Sequence, residues 1–433
     1  MHGSNQTEEP TMLLGAIADD FTGATDLCSM LVRGGMRTVQ LIGVPKPDMP
    51  APDADAVVVA LKSRTAPVRQ AVDESLAALQ WLQAAGARQF FFKYCSTFDS
   101  TDEGNIGPVA DALIQALGCG FALACPAFPT NNRTVYLGYL FAGGVLLNES
   151  GMENHPLTPM TDANLVRVLS RQTDGTVGLV PFGTVDKGSA AIRDAMTRLK
   201  EQGRRYAIVD AITDQHLIAI GDAAAKHTLI TGGSGVAMGL PANFRAAGLL
   251  PESGDPGALP VPDGATAVVA GSCSRATLAQ LGFVRDHLSL HELDPLTTPD
   301  AAALAETALG WAEGKIGDKP VVIAASAPPD KVAALQSRLG RDQAGALIEN
   351  AVARIAAGLA ARGVRKMVVA GGETAGAVVN RLGVTSLRIG DEIDPGVPWT
   401  LASGSGPEMM LALKSGNFGG TDFFLKAFRM LQP

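Results

Sequence analysis

The sequence predicts an α/β protein with two doubly wound domains, whose largely parallel sheets lie around an interdomain cleft. Short aliphatic or β-branched runs alternate many times with longer helical stretches, a pattern typical of parallel sheets covered by helices. Gly-rich or acidic turns separate the two kinds of segment. A chain of 433 residues also exceeds what one hydrophobic core usually serves, so we expect two domains.

The domains are predicted to span residues 11–248 and 265–433, joined by a linker over 249–264. The linker, LLPESGDPGALPVPDG, is rich in Pro, Gly and Asp and has no apolar periodicity. Predicted strands of the first domain are MLLGAIA before Asp19, TVQLIG from Thr38, AVVVAL from Ala56, FFFK from Phe90, FALAC from Phe121, TVGLV from Thr176 and YAIVD from Tyr206. Those of the second are TAVVAG from Thr266, LSLHEL from Leu288, PVVIAA from Pro320 and KMVVAG from Lys366, with shorter β segments near Thr385 and Trp399 and a closing helix from about Thr421.

Composition excludes several classes of function. The formal charge is −8, from 35 basic and 43 acidic residues, and the basic residues are scattered, so neither nucleic acid nor an anionic membrane is an expected partner. Five cysteines without a CxxC pair indicate free thiols in a reducing compartment, and no histidine pattern indicates a metal site. Residues 1–10 lack a secretory signal and are interpreted as disordered or vector-derived, while no later apolar run approaches the roughly 18 residues of a membrane span. We therefore predict a cytosolic protein.

Two similar segments of the second domain nominate a phosphate site. Neither GxxxxGK[ST] nor a GxGxxG that follows a strand is present. However, VVAGSCSRATLAQL from Val268 and VVAGGETAGAVVNRL from Val368 share a strand, a small-residue turn and a helix. Because both turns lie at carboxyl ends of predicted parallel strands, residues 272–275 and 371–374 are expected to face one site. The alternative is that both are ordinary strand-to-helix loops.

The turn after Val369 has the parts that phosphate binding needs. Gly371 and Gly372 allow close approach of backbone N–H groups, Thr374 can cap, and the following helix directs its positive end at the turn. Glu373 would repel phosphate unless a magnesium ion or a hydroxyl lies between them.

A second Gly-rich segment lies near the C-terminus. The stretch LASGSGPEMMLALKSGNFGG contains five glycines, one cation, Lys414, and one amide, Asn417. This density is typical of backbone wrapped around a ligand, and a pair of tight β-turns is the alternative. The glycines are Gly404, Gly406, Gly416, Gly419 and Gly420.

Adjacent carboxylates follow the first predicted strand. Asp19 and Asp20 should emerge at its carboxyl end, where such a pair can orient an attacking hydroxyl or hold magnesium. Of the two, Asp20 is the candidate catalytic residue. Helix N-capping by either aspartate is the structural alternative.

Hydroxyls and fork-shaped cations make up the rest of the candidate substrate site. The segment FFFKYCSTFDSTDEGN places a cation, four hydroxyls and a carboxylate directly after a strand, a set that suits a sugar acid: Lys93, Ser96, Thr97, Asp99, Ser100 and Thr101. Arg64 and Arg133 could each grip a carboxylate bidentately, although a single arginine is more often a surface residue. The Gly-rich TGGSGVAMGLP from Thr231 is interpreted as a turn of the chain rather than a ligand contact.

Together these segments resemble the four-carbon acid sugar kinase family, specifically its 3-oxo-tetronate 4-kinase branch. The resemblance runs along almost the whole chain through eight ordered motifs: AIADDFTGATDL, KYCSTFDST, CPAFPTNNRTV, ESGMENHPLTPMTDANLVRVL, GGSGVAMGLP, VVAGSCSRAT, AGGETAGAVV and SGPEMMLALKSGNFGG. It implies an N-terminal sugar-acid-binding domain, a C-terminal nucleotide-binding domain, and transfer of the ATP γ-phosphate to the substrate 4-hydroxyl with Mg²⁺. It further implies that ATP contacts Ser272, Ser274, Gly371, Gly372, Glu373, Thr374, Gly404, Lys414, Gly416 and Asn417. The substrate side would comprise Asp20, Arg64, Lys93, Ser96 and Asp99.

The sequence departs from the family pattern at Asn132, where a glycine is expected before Arg133. Asn tolerates left-handed backbone, so we expect the turn to persist. The STFDST form is what indicates 3-oxo-tetronates, and a threonate or erythronate 4-kinase of the same family is the alternative. A dinucleotide-dependent oxidoreductase is less favoured because the GxGxxG is missing, and a homodimer is compatible with either interpretation.

Overall fold

A computed structural model describes residues 12–252 and 254–431, so the prediction for residues 1–10 lies outside the described residues. The described chain forms two compact units that divide between Pro256 and Gly257. Each unit consists of a sheet with helices packed against it.

The first unit is built on a sheet of eight parallel strands. Its strands, in chain order, are β1 Leu14–Ala18, β2 Thr38–Ile42, β3 Ala56–Ala60, β4 Gln89–Lys93, β5 Ala122–Cys125, β6 Arg133–Tyr136, β7 Tyr139–Ala142, β8 Val145–Leu146, β9 Val177–Val180, β10 Tyr206–Val209 and β11 Leu229–Gly232. The main sheet has the order β2-β3-β1-β4-β11-β5-β10-β9, and β6, β7 and β8 form a separate antiparallel sheet. The central strands are buried along their whole length, as expected where helices cover both faces.

Among the described residues, three of the eight helices of the first unit begin with a side-chain cap. The helices are α1 Phe21–Arg33, α2 Val68–Ala84, α3 Ile106–Leu117, α4 Leu165–Gln172, α5 Phe182–Val185, α6 Ser189–Glu201, α7 Asp214–Ala223 and α8 Leu240–Ala246, with 3-10 turns at Pro129–Asn131, Leu147–Glu149, Met152–Asn154 and Ser234–Gly239. The side chains of Asp20, Asn164 and Thr213 accept hydrogen bonds from the first turns of α1, α4 and α7. The capping alternative considered for Asp20 is therefore realised.

The second unit carries a mixed sheet of seven strands. Its strands are β12 Ala265–Ala270, β13 Ser289–Glu292, β14 Val321–Ala324, β15 Val364–Ala370, β16 Val384–Asp394, β17 Val397–Gly404 and β18 Met409–Lys414. Its helices are α9 Arg275–Arg285, α10 Ala301–Glu313, α11 Pro329–Leu339, α12 Arg341–Ala361, α13 Gly372–Arg381 and α14 Phe423–Arg429. The order is β13-β14-β12-β15-β18-β17-β16, in which β17 runs antiparallel to both of its neighbours.

The predicted α/β class is confirmed, and every predicted strand is present. The strands that the sequence did not predict are β11, β18 and the three strands of the small sheet. β11 is only four residues long and ends in glycine, while β18 lies inside a Gly-rich segment that was interpreted as loop. All five cysteines are free, as predicted.

The helix α12 shows why apolar length alone is a weak membrane signal. It has 21 residues and a mean hydropathy of 1.3 over its most apolar stretch, and it is the one helix of the described residues that is long and apolar enough to cross a membrane by composition. Eight of its residues, including Ile355 and Leu359, are buried, and the helix packs on β12, β15 and α10. It has the burial of a core helix.

Gly232 at the end of β11 is a sensitive point of the first unit. A Cβ at this position would overlap the Cys125 carbonyl oxygen of the neighbouring strand. We predict that Gly232→Ala lowers the free energy of unfolding by about 1 to 3 kcal/mol, because the atoms that the new Cβ would meet are backbone atoms of the neighbouring strand and cannot move easily. Calorimetric or urea unfolding measures the effect. Gly310→Ala is the matched control: Gly310 is exposed within α10 with no neighbouring atom near a new Cβ, so this variant should be neutral or more stable by up to about 1 kcal/mol.

Candidate active site

In each sheet the chain adds strands first on one side of the first strand and then on its other side, so the strand order reverses at that strand. β1 lies between β3 and β4, and β12 lies between β14 and β15. At such points the loops that follow neighbouring parallel strands diverge and leave a crevice at the carboxyl edge, where ligands collect in open α/β sheets. The predicted site residues are concentrated at these two edges.

The carboxyl edge of β1 carries a cluster of three carboxylates around one guanidinium. Arg64, after β3, donates from Nε to Asp19 Oδ2 at 2.9 Å and from Nη2 to Asp19 Oδ1 at 3.0 Å. Its Nη2 also lies 2.8 Å from Asp20 Oδ1, and its Nη1 lies 3.5 Å from Asp99 Oδ2. The structure thus brings four of the predicted residues together.

Burial dominates the electrostatics of Asp19. Burial raises the pKa of the Asp19 carboxyl, and the charge and hydrogen bonds of Arg64 oppose that rise. The bidentate contact therefore keeps a buried carboxylate charged and fixes the plane of the guanidinium. Because its guanidinium already binds Asp19, the first role of Arg64 is to hold the carboxylate cluster together, and contact with a ligand comes second.

Lys93 and Gly23 complete the immediate surroundings of Asp20. Asp20 Oδ1 accepts a hydrogen bond of 3.0 Å from the Gly23 backbone, and Lys93, at the end of β4, is buried and donates to the Tyr94 carbonyl at 2.9 Å. A Cβ on Gly23 would overlap Asp20 Oδ1 and approach Lys93 Nζ to 2.8 Å. The cation and the carboxylate therefore face each other across the first turn of α1, and only glycine fits between them.

The loop after β4 is held in an unusual conformation. Phe98 is fully buried and has a φ of 61°, which is uncommon for a bulky residue. Thr97 donates to Asp99 Oδ1 at 2.6 Å, and the Phe98 ring packs edge to face on Tyr94 with centroids 5.3 Å apart. This packing fixes the polar side chains of the loop, among which Ser96 is half-buried.

Arg133 is not part of the cluster around Arg64. It begins β6 in the small sheet, and its guanidinium donates to the Asn131 carbonyl while its Nε is buried without a partner in the described residues. Asn132 has a φ of 57° and a ψ of 37°, so the left-handed turn expected at this position is confirmed. No hydrogen bond or ion pair among the described residues joins Arg133 to the cluster around Arg64.

One pair of residues near Lys93 was missed by sequence reasoning. The Asp26 carboxylate, on α1, accepts a hydrogen bond from the Ser234 hydroxyl at the start of a 3-10 turn. Burial raises the pKa of Asp26, and the charge of Lys93 opposes the rise. The TGGSGVAMGLP segment, interpreted as a simple turn, thus also reaches the edge of the site through Ser234. An aspartate in the second turn of α1, on the same face as Gly23, was the signal that could have revealed the pair.

In the second unit the two similar loops lie side by side, as the sequence comparison predicted. The Ser272 backbone donates to the Ala370 carbonyl at 3.1 Å, and Ser274 caps α9 by accepting from Thr277 at 3.2 Å. Gly371, with a φ of 131°, precedes α13, whose Thr374 is buried against it. The N-terminal ends of α9 and α13 therefore meet at one edge, which is an arrangement that attracts anions.

Lys414 lies beneath this edge without an acidic partner in the described residues. The residue is fully buried at the end of β18, and its Nζ donates to the Thr277 hydroxyl and to the carbonyls of Ser415 and Gly416 at 2.9 to 3.1 Å. Burial lowers the pKa of Lys414 to about 8. All three of its protons are directed at protein groups, so Lys414 acts on a ligand through its charge and through the loop it holds.

The loop after β18 requires glycine at position 416. The Gly416 carbonyl accepts from Ser274 Oγ at 2.5 Å and from Thr277 Oγ1 at 2.9 Å, and a Cβ would overlap Ser272 Oγ. The loop therefore lies directly on the Ser272 turn. Asn417 follows as an exposed residue.

A pocket of about 440 Å³ opens beside these loops within the second unit. Its walls are mixed but more apolar than polar. The apolar part includes Leu293, Val332, Leu335 and Ile348, residues that the sequence did not nominate. One end is lined by Gly271, Cys273, Glu373 and Thr374, so the apolar pocket and the helix N-termini are continuous. Its volume suits a drug-sized ligand with a flat apolar part.

Gly404 is placed away from this edge. Because β17 is antiparallel to β18, the pairing of Ala402 with Met409 puts the carboxyl end of β17 where β18 begins. Gly404 therefore lies at the opposite edge of the sheet from Gly371 and Lys414, and its grouping with the other predicted ATP contacts is corrected. The error arose because β18 was not predicted, so the antiparallel turn could not be placed.

Comparisons with known proteins match both units. Residues 14–240 match the family model of a sugar-binding N-terminal domain, and residues 267–424 match that of a nucleotide-binding C-terminal domain. The chain is 58% identical over 419 residues to a 3-oxo-tetronate kinase of Burkholderia multivorans, with 97% of each chain covered. It is 57% identical to one of Cupriavidus necator, again with 97% of each covered, and 44% identical to one of Salmonella typhimurium, with 97% of this chain and 99% of the relative covered.

Solved structures agree with these matches over the full length. A crystal structure from Salmonella typhimurium has a TM-score of 0.91 at 44% identity and covers 98% of this chain and 100% of its own. One from Haemophilus influenzae has a TM-score of 0.86 at 44% identity and covers 96% and 100%. The fold and the two edges define a two-domain enzyme with a sugar-binding and a nucleotide-binding half.

The chain belongs to the four-carbon acid sugar kinase family, in its 3-oxo-tetronate kinase branch.

The contact between Arg64 and Asp19 predicts a pH-dependent loss of stability when it is removed. Arg64→Met should lower the free energy of unfolding by about 3 kcal/mol at pH 8. This value is near the low end for the loss of one partner of a buried ion pair, because the Arg64 side chain is 23% exposed. Without the guanidinium, the pKa of Asp19 rises further above its value in the unfolded chain. As the pH falls, the folded variant then binds more protons than the unfolded chain. The free energy of unfolding that the variant has lost relative to the parent should therefore be smaller at pH 5 than at pH 8. Urea unfolding at both pH values measures this, and Arg69→Met, at an arginine that is 93% exposed, should change little. A loss of stability that is equal at the two pH values would contradict the assignment of Arg64 as the partner that keeps Asp19 charged.

Proposed function

We propose that the protein transfers the γ-phosphate of ATP to the 4-hydroxyl of a 3-oxo-tetronate, giving 3-oxo-tetronate 4-phosphate. The observation that carries this proposal is the edge of β12 and β15, where two helix N-termini and a Gly-rich loop lie over the buried cation Lys414. This edge belongs to a chain that matches 3-oxo-tetronate kinases over nearly its whole length. The plain threonate or erythronate 4-kinase alternative has no such support in the names of these relatives.

The nucleotide is proposed to lie in the second unit. The pocket beside Leu293 and Ile348 suits the base, and the turns at Ser272, Ser274, Gly371, Gly372 and Thr374 suit the phosphates. Asn417 and Gly416 close the same edge from above Lys414. Phosphoryl transfer needs mostly positioning and charge neutralisation, and these groups supply both.

Magnesium fits the residues of this edge through Glu373. No group of three or more His, Cys, Asp or Glu side chains in the described ranges could hold a metal by itself. Mg²⁺, however, is usually bound by one or two carboxylates together with substrate phosphates and water. Glu373 is exposed in the first turn of α13 and lines the phosphate end of the pocket, so it is the carboxylate that would hold the ion. The ion would neutralise charge on the phosphates.

The sugar acid is proposed to bind at the carboxyl edge of β1. Asp20 has contacts through Oδ1 in the described residues, which leaves Oδ2 to orient the attacking hydroxyl. Lys93 and Ser96 supply a cation and a hydroxyl for the substrate carboxylate and ketone. Arg64 acts with Asp19 and Asp99 as the support that fixes this edge. The role of Arg133 in substrate binding and the cytosolic location stay predictions, as does the homodimer.

A substrate panel tests the activity directly. Purified protein with Mg²⁺ and ATP should release ADP when a 3-oxo-tetronate is added and much less with threonate or erythronate. ATP should raise the melting temperature in the presence of Mg²⁺, whereas NAD and NADP should not. A panel of tetronates and 3-oxo-tetronates without any ADP release would overturn the proposal.

Asp20→Asn separates the capping role of Asp20 from its catalytic role. Asn caps helices about as well as Asp, so the melting temperature should stay close to that of the parent. The loss of the carboxylate that orients the hydroxyl should lower kcat by about two to three orders of magnitude, as for other well-placed electrostatic groups. Asp300→Asn is the matched control, because Asp300 caps α10 in the same way, at 2.7 Å from the Ala303 nitrogen, outside the site. Near-normal kcat in Asp20→Asn would refute the role.

The pKa of Lys414 predicts a pH dependence of nucleotide binding. Because burial lowers this pKa to about 8, the ammonium loses its proton between pH 7 and pH 9 in the free protein. If only the charged form binds phosphate well, the Kd for ATP should rise about tenfold over that range. Isothermal titration at pH 7, 8 and 9 measures it. Lys414→Met should bind ATP weakly with little pH dependence, and an equal slope in that variant would show that another group titrates.

A further inference from the structure

Gln280 lies directly below the Gly-rich loop that follows β18 and is fully buried. Its side-chain nitrogen Nε2 is 3.0 Å from each of three carbonyl oxygens, those of Phe418, Gly419 and Gly420. Three acceptors around one group require the amide nitrogen there, because the oxygen would be repelled by all of them. The orientation of the amide is therefore set by the loop.

The other end of the loop is held by Lys414 at the end of β18 and by the start of α9, the helix that carries Gln280. The Ser415 carbonyl accepts from Lys414, and the Gly416 carbonyl accepts from Lys414 and from the hydroxyls of Ser274 and Thr277. Ser274, Thr277 and Gln280 follow one another at intervals of three residues along the start of α9. They therefore present a continuous row of donors to the loop.

This row of donors turns the loop carbonyls toward α9. In a trans peptide the N–H of the next residue points opposite to the carbonyl. The carbonyls of Gly416 and Phe418 face inward, so the N–H groups of Asn417 and Gly419 face away from α9, and neither donates a hydrogen bond within the described residues. The other two N–H groups of this stretch are already used: Phe418 donates to the Ser415 carbonyl, and Gly420 donates to Asp394 Oδ2 at 2.8 Å. Two free N–H groups of one loop, at alternate positions above a buried cation, suit an anionic ligand.

We propose that Gln280 is a positioning residue that orients the backbone N–H groups of the loop after β18 toward the nucleotide phosphates. This inference rests on the proposed function, and it assigns a role to a residue that is itself remote from the ligand. Gln280 Oε1 is buried without a partner in the described residues, which is costly and gives the fold nothing. The side chain is therefore explained by the contacts that its two N–H groups make with the three carbonyls.

The test compares two substitutions at Gln280 with one at Gln89. Gln280→Met keeps the length of the side chain and removes the donor, so KM and the directly measured Kd for ATP should rise about tenfold or more, with KM for the sugar acid unchanged. From pH 6 to pH 8 the Kd for ATP should rise by a larger factor in Gln280→Glu than in the parent, where the loss of the Lys414 proton also raises it, since only the protonated carboxyl can donate to the carbonyls. Gln89→Met is the matched control: Gln89 is also a buried glutamine that donates to two carbonyls, those of Ala224 and His227, but it lies at the start of β4 and should leave KM for ATP unchanged.

The outcomes separate this inference from the proposed function. ADP release by the parent protein tests the function, and the inference is judged on a parent that is active. Should Gln280→Met fold poorly, the pH profile of the Kd for ATP in Gln280→Glu decides: a rise from pH 6 to pH 8 that is no larger than that of the parent overturns the inference. A KM for ATP that stays within twofold of the parent in a folded Gln280 variant overturns the inference. So does a rise in KM for ATP and for the sugar acid by the same factor, which would indicate a merely structural role.

Discussion

The position of both candidate sites depends on the strand order of the two parallel sheets. In each unit the first strand of the sheet lies in its interior, so the chain extends the sheet first on one side and then on the other. The loops that follow β1 and β4, or β12 and β15, consequently diverge, and the helices that begin after them direct their positive ends into the gap. Residues far apart in the sequence, such as Asp20 and Lys93, become neighbours for this reason alone.

The two edges differ in charge, and that difference matches the two ligands of a sugar-acid kinase. At the first edge, three carboxylates surround Arg64, so the edge is rich in hydrogen-bond acceptors for hydroxyls. At the second edge, Lys414 is buried without an acidic partner among the described residues, and only neutral groups accept its protons. A buried cation without a carboxylate partner favours an anionic ligand, since the ligand then supplies the negative charge that compensates the cation.

Sequence reasoning predicted the class of fold, the central strands and most of the loops at both edges. It succeeded where a buried run of β-branched residues ends in a polar turn, as at Asp19 and at Gly371, because the carboxyl ends of parallel strands share one edge. It failed at Gly404, because the direction of a strand depends on pairing partners that local sequence does not reveal. It also missed Asp26 and the apolar pocket, whose residues come from several elements and share no local pattern.

The supports of the sites are harder to predict than the sites themselves, and the reason is physical. A loop that must expose N–H groups needs its carbonyls held from behind, and the side chains that hold them lie inside helices where apolar residues would be expected. Gln280 and Thr277 occupy such positions on the buried face of α9. An apolar residue at position 280 would avoid the unpaired amide oxygen, which costs about 1 to 3 kcal/mol, but it would leave the loop carbonyls without the donor that holds them. The cost of the unpaired Gln280 oxygen is one that the fold of the second unit does not require. What this cost maintains is the orientation of the loop after β18, with its carbonyls toward α9 and its N–H groups outward.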